Sequence, residues 1–152
     1  MSKKKSVKQV EVILPKIKTP EEKAAQQLAV IIEQAGYDIE RGNEAVRNHV
    51  ADLDKDPARA CEWSKDLFMA AARKQVASLV LAIVEHYQRD YKDGLPPAQV
   101  IAAIRKELLA IVIRKSRWPE HSTSPTHNYM HQCSLSATTE WLVQRVDPSL
   151  GS

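Results

Sequence analysis

The chain of 152 residues has few of the glycines, cysteines and aromatic residues that form the turns, disulfides and core of a β-rich fold. It contains four glycines, two cysteines, three tryptophans, four tyrosines and one phenylalanine. A β-sandwich depends on turn glycines and strand aromatics, so this composition argues against an all-β fold. Two cysteines exclude a secreted scaffold held by many disulfides. Four glycines also leave no Gly-rich loop of the kind that cradles a dinucleotide or a nucleotide triphosphate.

Long apolar runs are also missing. The most apolar window is 76–84, interrupted by Ser78, whereas a membrane helix needs about 20 such residues. Near the N-terminus the apolar stretch covers only 10–14 and includes Glu11, which is shorter than the core of about 7–15 residues in a secretion signal. The sequence therefore predicts a cytoplasmic protein without a membrane span, in which Cys61 and Cys133 are free thiols.

What is present is typical of a helical domain. Hydrophobic residues make up 43% of the chain and charged residues 27%, close to the globular average. The prolines all fall between segments of helical periodicity, and proline is tolerated at helix starts but not in helix interiors. These observations predict one all-α domain of about five helices over residues 19–148, preceded by a basic arm over residues 1–18.

The first two predicted helices are joined by a glycine. Thr19 and Pro20 open the first helix, and Gly36 is a typical stop signal. A second helix is predicted over about 39–53. The two predicted inner faces are Ala24, Ala25, Leu28, Ile31, Ile32 and Ala35 in the first helix, and Ile39, Val46, Val50 and Leu53 in the second. Helix, glycine and helix resemble a helix-turn-helix in outline, but carboxylates at the start of the second helix would repel DNA phosphates.

Three further helices are predicted. One runs from Pro57 to about Tyr91, either unbroken or with a break near 73–75. The next covers about Pro97 to Trp118, and the last ends near Val146 with a cap at Ser124, Ser134 or Ser136. We expect the third and fourth helices to form a hairpin at the centre of the core. The predicted inner faces are Val100, Ile101, Ile104, Leu108, Ile111 and Val112 in the fourth helix, and Met130, Cys133, Ala137 and Trp141 in the fifth.

Positive charge is concentrated in two places. The arm holds six lysines and one glutamate, and the stretch 95–118 holds five basic residues against Glu107. Clusters of this kind bind nucleic-acid phosphates, although basic residues at a helix end also complement the helix dipole. The predicted phosphate contacts are Lys3, Lys4, Lys5, Lys8, Arg105, Arg114, Lys115 and Arg117.

A histidine cluster is the one candidate for metal chemistry. His121, His127, His131 and Cys133 fall within thirteen residues, and His127 and His131 are four apart, on one face of a helix. Such a pair can hold Zn²⁺, but the metalloprotease motif and a Cys-x-x-Cys pair are both absent. The alternative interpretation is a polar loop and helix start with Cys133 in the core, where a thiol is usually inert.

Three functions remain open on the sequence. The first is a non-catalytic accessory subunit of a nucleoprotein assembly that contacts phosphates without strong sequence specificity, either alone or as a homo-oligomer. The second is a protein–protein adaptor or inhibitor whose acidic first two helices meet a basic partner, or whose residues 10–14 add a strand to its sheet. The third is a metal-dependent activity at the histidine cluster.

Overall fold

The computed structural model describes residues 18–89, 94–117 and 124–151, with backbone alone for 59–64. The predicted contacts Lys3, Lys4, Lys5 and Lys8 lie outside the described residues, as does His121. Within the described ranges the chain is all-α, as predicted, and contains no strand. Its α-helices are α1 (Pro20–Lys55), α2 (Ala60–Arg89), α3 (Pro97–Ser116) and α4 (Pro125–Glu140).

Helix α1 replaces two predicted helices. It begins with a capping box, in which the Thr19 side chain accepts a hydrogen bond from the Glu22 N–H and Glu22 reaches back to Thr19. It then continues for 36 residues, a length of about 54 Å. The predicted stop at Gly36 is wrong, because Gly36 keeps a negative φ, and only Gly94 among the described glycines has a positive one. The helix-turn-helix outline therefore has no counterpart in the described part of α1.

Helices α1 and α2 make the most extensive helix pair, so the predicted central hairpin of α2 and α3 is also wrong. They approach closely at Gly42, which is buried against the Ala70 carbonyl oxygen and the Lys74 side chain. A Cβ at position 42 would lie 2.8 Å from the Lys74 Cβ, so the crossing requires a residue without a side chain. Lys74 then reaches across to donate a 2.6 Å hydrogen bond to Asn43 Oδ1.

Helix α2 runs through its apolar window without a break at 73–75. By length and composition, residues 65–89 could cross a bilayer, and a third of the apolar 18-residue window within this segment is buried in the protein. The buried part includes most of the most apolar stretch of the sequence: Val76, Ala77, Val80, Ile83 and Val84.

Helices α3 and α4 close the core. The buried side chains of α3 are Val100, Ile104 and Leu108, all on its predicted inner face. Helix α4 is capped by Ser124, whose side chain accepts a hydrogen bond from the His127 N–H, and it buries Cys133 and Ala137. Cys133 is a free thiol, as predicted.

A π-helical turn, Trp141–Val146, follows α4 directly. It closes with the Asp147 N–H donating to the Leu142 carbonyl oxygen at 2.8 Å. Trp141, Leu142 and Val146 are all buried, so the π-helical turn belongs to the core, whereas Leu150 beyond it is exposed. The carbonyl of Val146 also accepts a 2.7 Å hydrogen bond from Gln27 of α1.

Some predicted inner positions face outward. Val46, Val50 and Leu53 are exposed on α1, and Met130 is exposed on α4. In α1 this follows from the unbroken helix: the stripe formed by Leu28, Ile31 and Ala35 is covered, and beyond it α1 packs through Asp38 and Gly42 instead.

Candidate functional site

The outward face of α3, which we name the outer flank, carries three exposed basic side chains, Lys106, Arg114 and Arg117, beside Ala110 and Ile113. Positions 106, 110, 113 and 117 are spaced four, three and four apart, so they form one face of the helix, with position 114 at its edge. That face points away from the core because Ile104 and Leu108, on the opposite side, are fully buried. Three cations are thereby presented together on the surface.

The outer flank is not neutralised within the described part of the chain. None of its three cations makes an ion pair there with a carboxylate, whereas Arg73, Arg89, Arg105 and Arg145 each do. Glu107 is the one carboxylate of α3 and lies two turns before Arg114. Arg114 also lies in the last turn and Arg117 at the C-cap, where cations complement the helix dipole. This interaction with the helix dipole still leaves the guanidinium N–H groups of Arg114 and Arg117 able to donate hydrogen bonds to a ligand.

Arg105 is used differently. Its Nε lies 3.0 Å from Asp147 Oδ2, so the guanidinium ties α3 to the residue that ends the π-helical turn. The Arg105 side chain remains about half exposed. A phosphate at this position would compete with a carboxylate already in contact, which makes Arg105 the weakest of the predicted contacts in α3.

Lys115 joins α3 to α4. Its ammonium donates a hydrogen bond to Ser134 Oγ, and its carbonyl oxygen accepts from His131 Nε2 at 2.8 Å. Burial of the ammonium, and then the neighbouring charge of Arg114, lower the pKa of Lys115 below 10.5. Lys115 is therefore a partly buried structural residue as well as a predicted phosphate contact.

The same contact bears on the histidine pair. Since a carbonyl oxygen only accepts, His131 Nε2 must carry a proton and cannot ligate a metal while this bond is formed. His127 is exposed in the first turn of α4. Cys133 is buried, and its contact with the Tyr129 hydroxyl is the main reason that the pKa of Tyr129 is raised.

Among the described residues no group of three or more His, Cys, Asp or Glu side chains is placed to hold a metal ion. With His121 outside those residues, the metal site stays a prediction.

A cleft of about 510 Å³ lies between α1 and α2. Its lining is strongly charged and includes Asp38, Arg41, Glu44, Asp66 and Arg73. Arg73 is held by Glu140 of α4, with N–O distances of 3.1 and 3.2 Å. Glu44 and Asp66 have no ion-pair partner among the described residues, so the cleft retains unpaired negative charge.

Beneath this cleft lies a buried polar cluster that the sequence pattern does not reveal. Asp38 is 6% exposed, and its Oδ2 lies 3.8 Å from Arg145 Nη1. The Arg145 guanidinium stacks over the Trp141 ring at 4.7 Å, while Gln34 donates to Asp38 Oδ1 at 3.4 Å. The π-helical turn brings Arg145 over Trp141 and toward α1. The one usable sequence signal is Asp38, a carboxylate placed seven residues after the buried Ile31.

Comparison with family models, with curated proteins and with solved structures finds no match for this chain. The functional argument therefore depends on the geometry of the surfaces described above.

Proposed function

We propose that this protein is a non-catalytic binding subunit of a nucleoprotein assembly and that it contacts nucleic-acid phosphates through the outer flank of α3. The observation that carries the proposal is that Lys106, Arg114 and Arg117 share one exposed face with no carboxylate partner among the described residues. Arginine binds phosphate through a planar fork of donors, and lysine acts as a point charge.

The contacts are expected to read the backbone rather than the bases. Phosphate contacts carry no sequence information, and three cations on one helix face suit the repeating charges of a nucleic-acid backbone. Three cations supply a modest affinity, because each neutralised phosphate contributes through the release of counterions. We therefore expect much of the remaining affinity for nucleic acid to come from the arm lysines Lys3, Lys4, Lys5 and Lys8.

Fluorescence anisotropy of short labelled single- and double-stranded DNA and RNA tests this proposal. The key variant is Arg114→Ala/Arg117→Ala, and its matched control is Lys23→Ala/Arg41→Ala, which removes the same charge from exposed positions of α1. A third variant, with Lys3, Lys4, Lys5 and Lys8 changed to Gln, measures the contribution of the arm.

We expect wild-type protein to bind at low salt, the α3 variant to bind much more weakly, and the control to bind nearly as tightly as wild type. Equal weakening in the α3 variant and the control would show that net charge alone attracts the probe. Absence of binding at low salt would contradict the proposal.

A second candidate function, a protein–protein adaptor, is favoured by the cleft between α1 and α2. Glu44 and Asp66 line it without an ion-pair partner among the described residues, so it suits a basic segment of a partner protein. The adaptor function would be favoured if an arginine-rich peptide binds the wild type but not Glu44→Gln/Asp66→Asn, while the labelled nucleic acids do not bind the wild type.

A further inference from the structure

An exposed apolar stripe lies on the C-terminal half of α1. Val46, Val50 and Leu53 are 45%, 55% and 38% exposed, and all three lie in the last three turns of the 36-residue helix. They are spaced four and three apart, so they share one face. Single exposed apolar residues are common, but three in line on one helix face form a contact strip.

The stripe is distinct from the face that α1 uses inside the molecule. Helix α1 meets α2 through Gly42, which lies against Ala70 and Lys74. The stripe lies to one side of that contact, and its three side chains keep between 38% and 55% of their surface exposed. Its four-three spacing is the core spacing of a coiled coil, in which the apolar residues of one helix insert between those of another.

The charges beside the stripe indicate what covers it. Arg47 and Asp54 are seven residues apart, so they flank the same edge of the stripe, and both are exposed. Neither makes an ion pair with the rest of the described chain. If two copies pair antiparallel with Val50 opposite Leu53, Arg47 of each copy lies beside Asp54 of the other. A two-fold arrangement forms this pair twice, whereas a parallel in-register pairing places Arg47 level with Arg47.

We propose that the C-terminal half of α1 is a self-association face, and that it pairs antiparallel with the same segment of a second copy of this chain. The two Arg47–Asp54 pairs fix the direction and register, because electrostatic complementarity contributes more to specificity than to affinity. The apolar stripe supplies the buried contact. The proposal does not depend on nucleic-acid binding, since the outer flank lies on a different helix.

Sedimentation velocity or light scattering across a concentration series tests the proposal on the full chain. Wild type should approach twice the monomer mass of 17.1 kDa. Val50→Glu should remain monomeric, while Val30→Glu, at an equally exposed position of α1 outside the stripe, should dimerise like wild type. Circular dichroism confirms that each variant is folded.

Charge reversal separates self-association from any other occupant. Arg47→Asp alone and Asp54→Arg alone each place like charges opposite each other and should shift the protein toward monomer. The double variant Arg47→Asp/Asp54→Arg should recover the dimer, and so should an equimolar mixture of the two single variants. A wild type that stays monomeric, a dimer indifferent to Val50→Glu, or a mixture that fails to recover would overturn the proposal.

Discussion

The two sides of α3 present the same kind of charge for different purposes. On one side, Arg105 and Lys115 are engaged, with Arg105 paired to Asp147 and Lys115 bound to Ser134. On the other, Arg114 and Arg117 extend from the outer flank without an ion-pair partner among the described residues. The difference shows that the positive charge counted along a sequence divides into a share used by the fold and a share that a ligand can reach.

The elements that pack against each side of α3 decide which share a residue joins. Lys115 follows Ile104 by eleven residues, three turns of helix, so it lies almost in line with the buried stripe and meets α4. Arg105 lies at the edge of the stripe, within reach of Asp147 after the π-helical turn. Arg117 lies well away from the stripe and meets no other helix among the described residues.

The largest effect on stability is expected at the buried face of α3, because its packing sets the positions of these cations. Ile104 is fully buried, and Ile104→Ala should lower the free energy of unfolding by about 2–5 kcal/mol, through the reduced burial and the cavity left behind. Ile113→Ala, on the outer flank, should change it by no more than about 0.5 kcal/mol. Urea denaturation measures both, and similar decreases in the two variants would mean that the outer flank is also packed.

An intermediate effect is expected at Lys115. Lys115→Met keeps the apolar stem but removes the hydrogen bond to Ser134, which should cost about 1 kcal/mol near neutral pH. Urea denaturation at a series of pH values measures the difference from wild type.

The pH dependence of that difference has a defined sign. Burial lowers the pKa of Lys115 in the folded state below 10.5, so the unfolded chain binds this proton more tightly. The contribution of Lys115 to stability therefore increases as the pH rises from the folded-state pKa through 10.5, and this increase is lost as the pH falls back to neutral. The gap between wild type and Lys115→Met should widen over that window, and a gap that narrows would contradict burial of the ammonium.

Among the residues of α3 that contact other elements, the smallest effect on stability is expected at Arg105. Its pair with Asp147 is half exposed, and exposed pairs contribute about 0.2–1 kcal/mol. Arg105→Ala should therefore lower the unfolding free energy by no more than about 1 kcal/mol in urea denaturation. It should also weaken nucleic-acid binding less than Arg114→Ala, and the reverse order would move the binding face to the other side of α3.

Much of the fold could be predicted from prolines, caps and periodic apolar residues. Thr19 and Pro20 mark the start of α1 and Pro97 that of α3, each at the expected place, and Ser124, one of three predicted caps, marks that of α4. The buried stripes through Ile31 and Ile104 also follow their predicted faces. These features are local, since each depends on residues within a few turns of one another.

The errors arise where tertiary contacts override local signals. Gly36 looks like a helix stop, but the helix continues because the residues on both sides pack against the core, and a mid-helix glycine costs only about 1 kcal/mol. Val46 and Val50 have the periodicity of an inner face, yet a stripe shows only that a face is apolar and not which molecule covers it.

The candidate sites are predicted unevenly for the same reason. The basic residues of α3 are visible in the sequence. Which of them contacts Asp147, which contacts Ser134 and which face solvent depends on how α3, α4 and the π-helical turn pack together. The cluster of Asp38, Arg145 and Trp141 depends on a π-helical turn, which has no comparable sequence signature. It joins positions more than a hundred residues apart in the chain, beyond the reach of periodicity.

The most direct test of the central claim is the salt dependence of nucleic-acid affinity for wild type, for Arg114→Ala/Arg117→Ala and for Arg105→Ala. The slope of log K against log salt should become shallower in the double variant by about 0.7–0.9 for each phosphate that the protein no longer neutralises. Arg105→Ala should keep nearly the wild-type slope. Equal slopes for wild type and the double variant would contradict the claim that the outer flank of α3 binds phosphates.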